Sequence, residues 1–84
     1  MKASVRMRNF LNDLDDLVYG QNCYCDEDGE NLEFTITPEE CYNIITNVNG
    51  GEYKLLTEKR IKYFINLCFN HYLAFSAFQR EANA

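Results

Sequence analysis

Gln21-Asn22-Cys23-Tyr24-Cys25-Asp26-Glu27-Asp28-Gly29-Glu30-Asn31-Leu32-Glu33-Phe34-Thr35-Ile36 carries the clearest β signal in this sequence. Leu32, Phe34 and Ile36 alternate with Glu33 and Thr35, the period-2 pattern of a half-buried strand. Asn22–Cys25 supplies a second strand. Asp26–Asn31 between them has turn chemistry, with Asp28-Gly29 as the expected reversal. Helical periodicity flanks this hairpin on both sides, so its presence makes the chain α+β rather than all-α.

On the N-terminal side, Met7, Phe10, Leu11, Leu14, Leu17 and Val18 recur at i, i+3, i+4, i+7 spacing and predict a helix from Ser4 to Tyr19. Gly20 stands where a left-handed cap would end it. Asp13, Asp15 and Asp16 fall toward its C-terminal end, where the helix dipole disfavours negative charge. They were therefore not placed to favour the helix, and an internal pairing or a partner must account for them.

On the C-terminal side, Thr37-Pro38-Glu39-Glu40 combines an N-cap, a proline at the first helical position and the glutamate of a capping box. Cys41, Ile44, Ile45 and Val48 mark the expected buried face of the helix that follows, and Asn49-Gly50-Gly51 ends it. Glu52–Leu56 reads as a third strand or a plain connector. Thr57 then opens one long helix to Gln79 or Arg80, about 35 Å at 1.5 Å per residue. Its main stripe is Ile61, Phe64, Ile65, Cys68, Tyr72 and Phe75, broadened by Leu67, His71 and Phe78. Phe69 and Leu73 lie off that stripe, stacked four residues apart. A helix apolar on two sides is sandwiched or meets another chain, which makes this pair the candidate self-association contact.

The expected architecture is one small α+β domain over residues 1–84. Its order is α-β-β-α-(β)-α, with a two- or three-stranded antiparallel sheet packed by helices and a long C-terminal helix. Eighty-four residues with 46% hydrophobic side chains, four Gly and one Pro exclude a disordered or low-complexity chain. No apolar run approaches the ~20 residues that cross a bilayer, and Met1–Phe10 lacks the apolar stretch of a signal peptide. The expectation is a soluble cytoplasmic protein.

Charge is segregated along the chain. Met1–Asn12 carries Lys2, Arg6 and Arg8 and no acid, and Tyr53–Ala84 carries five bases against Glu58 and Glu81. Asp13–Glu52 holds eleven acids and no Lys or Arg. A folded domain ordinarily mixes signs, so this stretch is either a solvated face offset by the later bases or a surface for a basic partner. Direct binding of nucleic acid is disfavoured, because eight bases divided between two ends stand against thirteen acids.

The residues that could carry chemistry give weak patterns. Cys23-x-Cys25, Cys41 and Cys68-x-x-His71 offer ligands for zinc. The first pair departs from the C-x(2–4)-C knuckle and is expected to turn its sulfurs to opposite faces, while Cys41, Cys68 and His71 fall on core stripes. Structural disulfides are not expected in a reducing compartment. If Gly29 took the glycine place of a calcium loop, Tyr24 and Thr35 would occupy positions that need acids. Cys68 and His71 could imitate a nucleophile and its base, yet no orienting third group or phosphate loop accompanies them. No enzyme activity, metal or cofactor is expected.

These readings point to a non-enzymatic, acidic protein-binding module. The expected form is an inhibitor that docks on the basic, nucleic-acid-binding surface of a larger protein, its carboxylates standing in for phosphates. Asp13, Asp15, Asp16, Asp26, Glu27, Asp28, Glu30 and Glu33 are the candidate contacts. The size suits the small stand-alone proteins of phages and mobile elements, a class-level analogy. The alternatives are a structural or regulatory homodimer joined through Phe69 and Leu73, and a small zinc domain.

Overall fold

The computed structural model describes residues 4–84; Lys2 of the basic amino-terminal segment lies outside them. Helix α1 runs Val5–Asp15, capped by Ser4, whose hydroxyl accepts from the Met7 amide. A π-helical turn continues it over Asp16–Gly20. Strands β1 (Cys23–Cys25) and β2 (Leu32–Phe34) form an antiparallel pair, with Cys23 opposite Phe34 and Cys25 opposite Leu32. Helix α2 (Pro38–Ile45), 3₁₀ turns within Val48–Leu56, α3 (Glu58–Asn70) and α4 (Tyr72–Ala82) complete the chain. The α+β class and the element order are as the sequence indicates, with a two-stranded sheet.

The core is a helical stack. Phe10 meets Tyr53 and Phe64 edge-on, with ring centroids 5.4 and 6.3 Å away. Leu11, Leu14, Val18, Cys41, Ile45, Ile61, Cys68 and Phe75 close around them, all essentially sealed from solvent. Full burial of each large apolar side chain stabilises the fold by about 1.5–3 kcal/mol. Helix α4 runs antiparallel to α1: Tyr19 packs on Tyr72, while Asn12 bonds Gln79 and Asn83 at the other end.

Several local expectations need correction. The single C-terminal helix is two, broken at His71, which has φ −142° and ψ 65°. The break folds α4 back over α1 and α3, so that Phe75 reaches Tyr19 and Phe78 reaches Phe64. A straight 35 Å rod would have carried both rings past the domain. His71 is therefore exposed at the joint rather than part of the buried stripe. Phe69 and Leu73 lie on different helices: Phe69 packs on Phe34 at 4.8 Å, and Leu73 stands alone at 81% exposure. The stacked pair expected to join two copies does not form.

Gly20 is not a left-handed cap, since the glycines with positive φ are Gly29, Gly50 and Gly51. A side chain at Gly20 would instead meet the Asp16 carboxylate, 2.8 Å from the Cβ position. The optional third strand is absent from the described residues. Left-handed Asn49, Gly50 and Gly51 turn the chain, and Tyr53 is drawn into the core against Phe10. Helix α2 stops before Val48 because the Thr46 hydroxyl and the Asn47 amide group donate back to the Tyr42 and Asn43 carbonyls. Ile44, within α2, is 40% exposed rather than buried.

Candidate functional site

The hairpin is anchored at its base and open beyond it. The Asn22 amide group donates to the Leu17 carbonyl at 2.8 Å, the Thr35 hydroxyl donates to Asn22, and Phe34 rests on Tyr19 and Phe69. Every residue from Glu27 to Glu33 is exposed, as is Tyr24 on β1. Leu32, with Cys25 opposite, continues the apolar face of Phe34 past the helices that cover it.

The tip is shaped by Asp26. Its carboxylate accepts from the Glu30 amide at 3.1 Å and from the Asn31 side chain at 3.0 Å. Its carbonyl accepts from Gly29, which adopts φ 71° as only glycine readily does. The Asn31 side-chain bond, helped by the backbone amides, holds the Asp26 carboxyl below the usual aspartate range. Asp26 is thus the residue that fixes the loop, which presents Glu27, Asp28 and Glu30, with Glu33 following on β2.

The three acids of α1 divide. Asp13 and Asp16 line one groove with Leu17, Gln21, Ile44, Ile45, Val48 and Asn49. Asp13 accepts from the Tyr53 hydroxyl and from the Asn49 side chain, and Asp16 accepts from the Gln21 side chain at 2.6 Å. Burial, reinforced by the bond to Asp13, raises the Tyr53 phenol, so the donor stays protonated. Asp15 lies round the helix toward Tyr19, whose hydroxyl donates to the Cys68 carbonyl and whose pKa is raised mainly by burial. The eight candidate acids therefore form two groups, the hairpin tip and the Asp13–Asp16 groove, with Asp15 apart from the groove. Gln21 ties the second group to the base of the first.

None of the eleven acids between Asp13 and Glu52 forms an ion pair among the described residues. The pair present there joins Lys62 to Glu58 on α3, which lowers the carboxyl and raises the amine. Lys62 also lies over the Tyr42 ring, 5.4 Å from its centroid, and near enough to Glu39 on α2 for that carboxylate to help raise the amine, without forming an ion pair with it.

Burial is the main cause of the raised Cys68 thiol, and Cys41 and Cys23 lie near enough to help raise it. Cys41 and Cys68 are buried thiols whose pKa values burial pushes up to about 12, which makes them inert. Cys23 and Cys25, two apart on β1, share one face, which corrects the expectation that their sulfurs point apart. Cys23 is half-buried, Cys25 is exposed, and all four thiols are free. Among the described residues no group of three or more His, Cys, Asp or Glu side chains is placed to hold a metal. Among them, too, no helix is long and apolar enough to cross a membrane.

Sequence reasoning missed Tyr53 and Asn49, which hold Asp13 from 40 and 36 positions away. Only the unfavourable position of Asp13 on its helix hinted at an internal partner. Comparison with protein-family models, with curated proteins and with solved structures finds no match, so no relative's activity bears on this chain.

Proposed function

We propose that this chain is a non-enzymatic docking module that presents its acidic hairpin to a basic surface on a larger protein. The surface has the chemistry of a nucleic-acid-binding site, and Glu27, Asp28, Glu30 and Glu33 occupy the places of phosphates. A protein bound there excludes nucleic acid and acts as an inhibitor. The observation that carries this reading is a set of acids left without ion pairs among the described residues on a loop held in one shape by Asp26. Acids serving solubility alone gain nothing from a fixed arrangement. A docking surface does, because ordering the loop beforehand reduces the entropy lost on binding.

Charge reversal at the tip tests this reading. Asp26 must be spared, since its replacement would unfold the loop itself. Glu27→Lys, Asp28→Lys and Glu30→Lys together should leave the circular dichroism unchanged and abolish capture of the partner retained by the unaltered protein from source-cell lysate. A triple variant that captures the same protein equally well sinks the proposal.

A further inference from the structure

Cys23 and Cys25 stand two apart on β1 and so project from the same face of the hairpin. Their cross-strand partners are Phe34 and Leu32, which sets the two thiols beside an apolar pair. Cys25 is exposed and Cys23 half-buried, so the pair is reached from solvent at one end. Burial, and then the neighbouring Cys25 sulfur, raises the Cys23 thiol, which places the two sulfurs within each other's influence. The acids that adjoin them in the hairpin are otherwise placed. Glu33, opposite Tyr24, is on the other face, and the Asp26 carboxylate is engaged by Glu30 and Asn31. Cys41 and Cys68 are sealed in the core.

We propose that Cys23 and Cys25 hold one soft monovalent cation, Cu(I), in line between two thiolates. The spacing discriminates between the fates open to a thiol pair. Residues two apart on an extended strand are separated by about 6.7 Å, and their Cβ atoms by much the same. A disulfide needs Cβ atoms roughly 3.5–4.5 Å apart, so closing one here would bend β1 out of its pairing with β2. Sulfurs that lean toward one another along the strand instead come to about 4–5 Å, the span of an ion held between two thiolates at ~2.3 Å per bond. Donor number points the same way. Structural Zn(II) takes four ligands, whereas Cu(I) is a soft ion selected by thiolates, and two in line suffice for it. Among the described residues no third His, Cys, Asp or Glu completes a larger ligand set. Phe34 and Leu32 limit water on that side, a setting that favours a soft ion over a hydrated hard one. Binding releases two thiol protons to solvent as two S–Cu bonds form, with no change of oxidation state. The site is independent of the docking reading.

The probe is Cu(I), supplied under argon as its acetonitrile complex in competition with the chelator bicinchoninate. Native mass spectrometry reads the stoichiometry and X-ray absorption reads the ligands. The expected result is one ion per chain, coordinated by two sulfurs, with amide shifts confined to the hairpin. Cys25→Ser, at an exposed position, should lose the ion while the circular dichroism stays unchanged, and Cys23→Ser with Cys25→Ser should lose it too. Zn(II) in equal amount should not displace the copper. The proposal is overturned by an unaltered protein that retains no ion against the chelator, or by a double serine variant that retains one. A third sulfur on the metal, or one ion shared between two chains, overturns it equally. Ready closure of a Cys23–Cys25 disulfide by diamide, with the hairpin amides unmoved, would contradict the spacing on which it rests.

Discussion

Asp13 and Asp26 are near-identical symbols in an acidic sequence, yet the fold gives them work that their neighbours do not have. Asp13 closes a contact with Tyr53 that pins α1 to the 3₁₀ segment, and Asp26 closes the hairpin loop. The second of these was half legible: Asp-x-Asp-Gly announces a turn, and local hydrogen bonding within five residues can be anticipated from turn chemistry. The first was not legible, because nothing in a linear string marks a partner 40 residues away. Asp26 gives a pH test with a definite sign. Its carboxyl is depressed in the folded protein, so its contribution to loop order is complete above the unfolded value near ~3.9. That contribution fades as pH falls through the lower folded value. The Asp26 side-chain carbon should therefore titrate below an unstructured aspartate in NMR, with the Glu30 and Asn31 amides moving in step. An ordinary titration at Asp26, with those amides unmoved, contradicts the loop described above.

Elements with strong local signals were readable, and elements set by packing were not. Thr37 and Glu40 make the reciprocal capping box that their spacing announces, and Pro38 occupies the first turn. The two hairpin strands form where the sequence places them, although β2 stops at Phe34 and Leu32 stays exposed. The joint at His71 left no such mark, because Asn70-His71-Tyr72 contains neither Gly nor Pro and the helical periodicity runs through it. It forms because Phe75 and Phe78 gain more by folding back onto Tyr19 and Phe64 than the helix loses in one interrupted turn. Phe75→Ala should accordingly cost about 3–5 kcal/mol, which rivals the whole stability of a domain this small. Leu73→Ala, two positions earlier and exposed, should change stability by no more than ~0.5 kcal/mol. Urea denaturation followed by circular dichroism compares them, and equal losses would contradict the broken helix.

At the scale of the whole molecule, the acids of the Asp13–Glu52 stretch stay free of ion pairs among the described residues. In the 39 × 27 × 19 Å body Lys62 pairs with Glu58 on its own helix and approaches Glu39 on α2 without forming an ion pair with it. One reading of the sequence is a solvated face neutralised by the later bases, and no such ion pair forms among the described residues. The sequence could not say that the acids would divide into a hairpin tip and a groove, because that depends on where α1 ends and on the exposure of Ile44. Association driven by such a surface should be steered at low ionic strength and weaken steeply as salt rises. The most direct measurement is release of the captured partner along a salt gradient, with and without added DNA or RNA. The expected result is one stoichiometric protein that leaves at moderate salt and is displaced at lower salt by nucleic acid. A partner held through high salt, or one that nucleic acid fails to displace, would contradict the claim that these carboxylates stand in for phosphates.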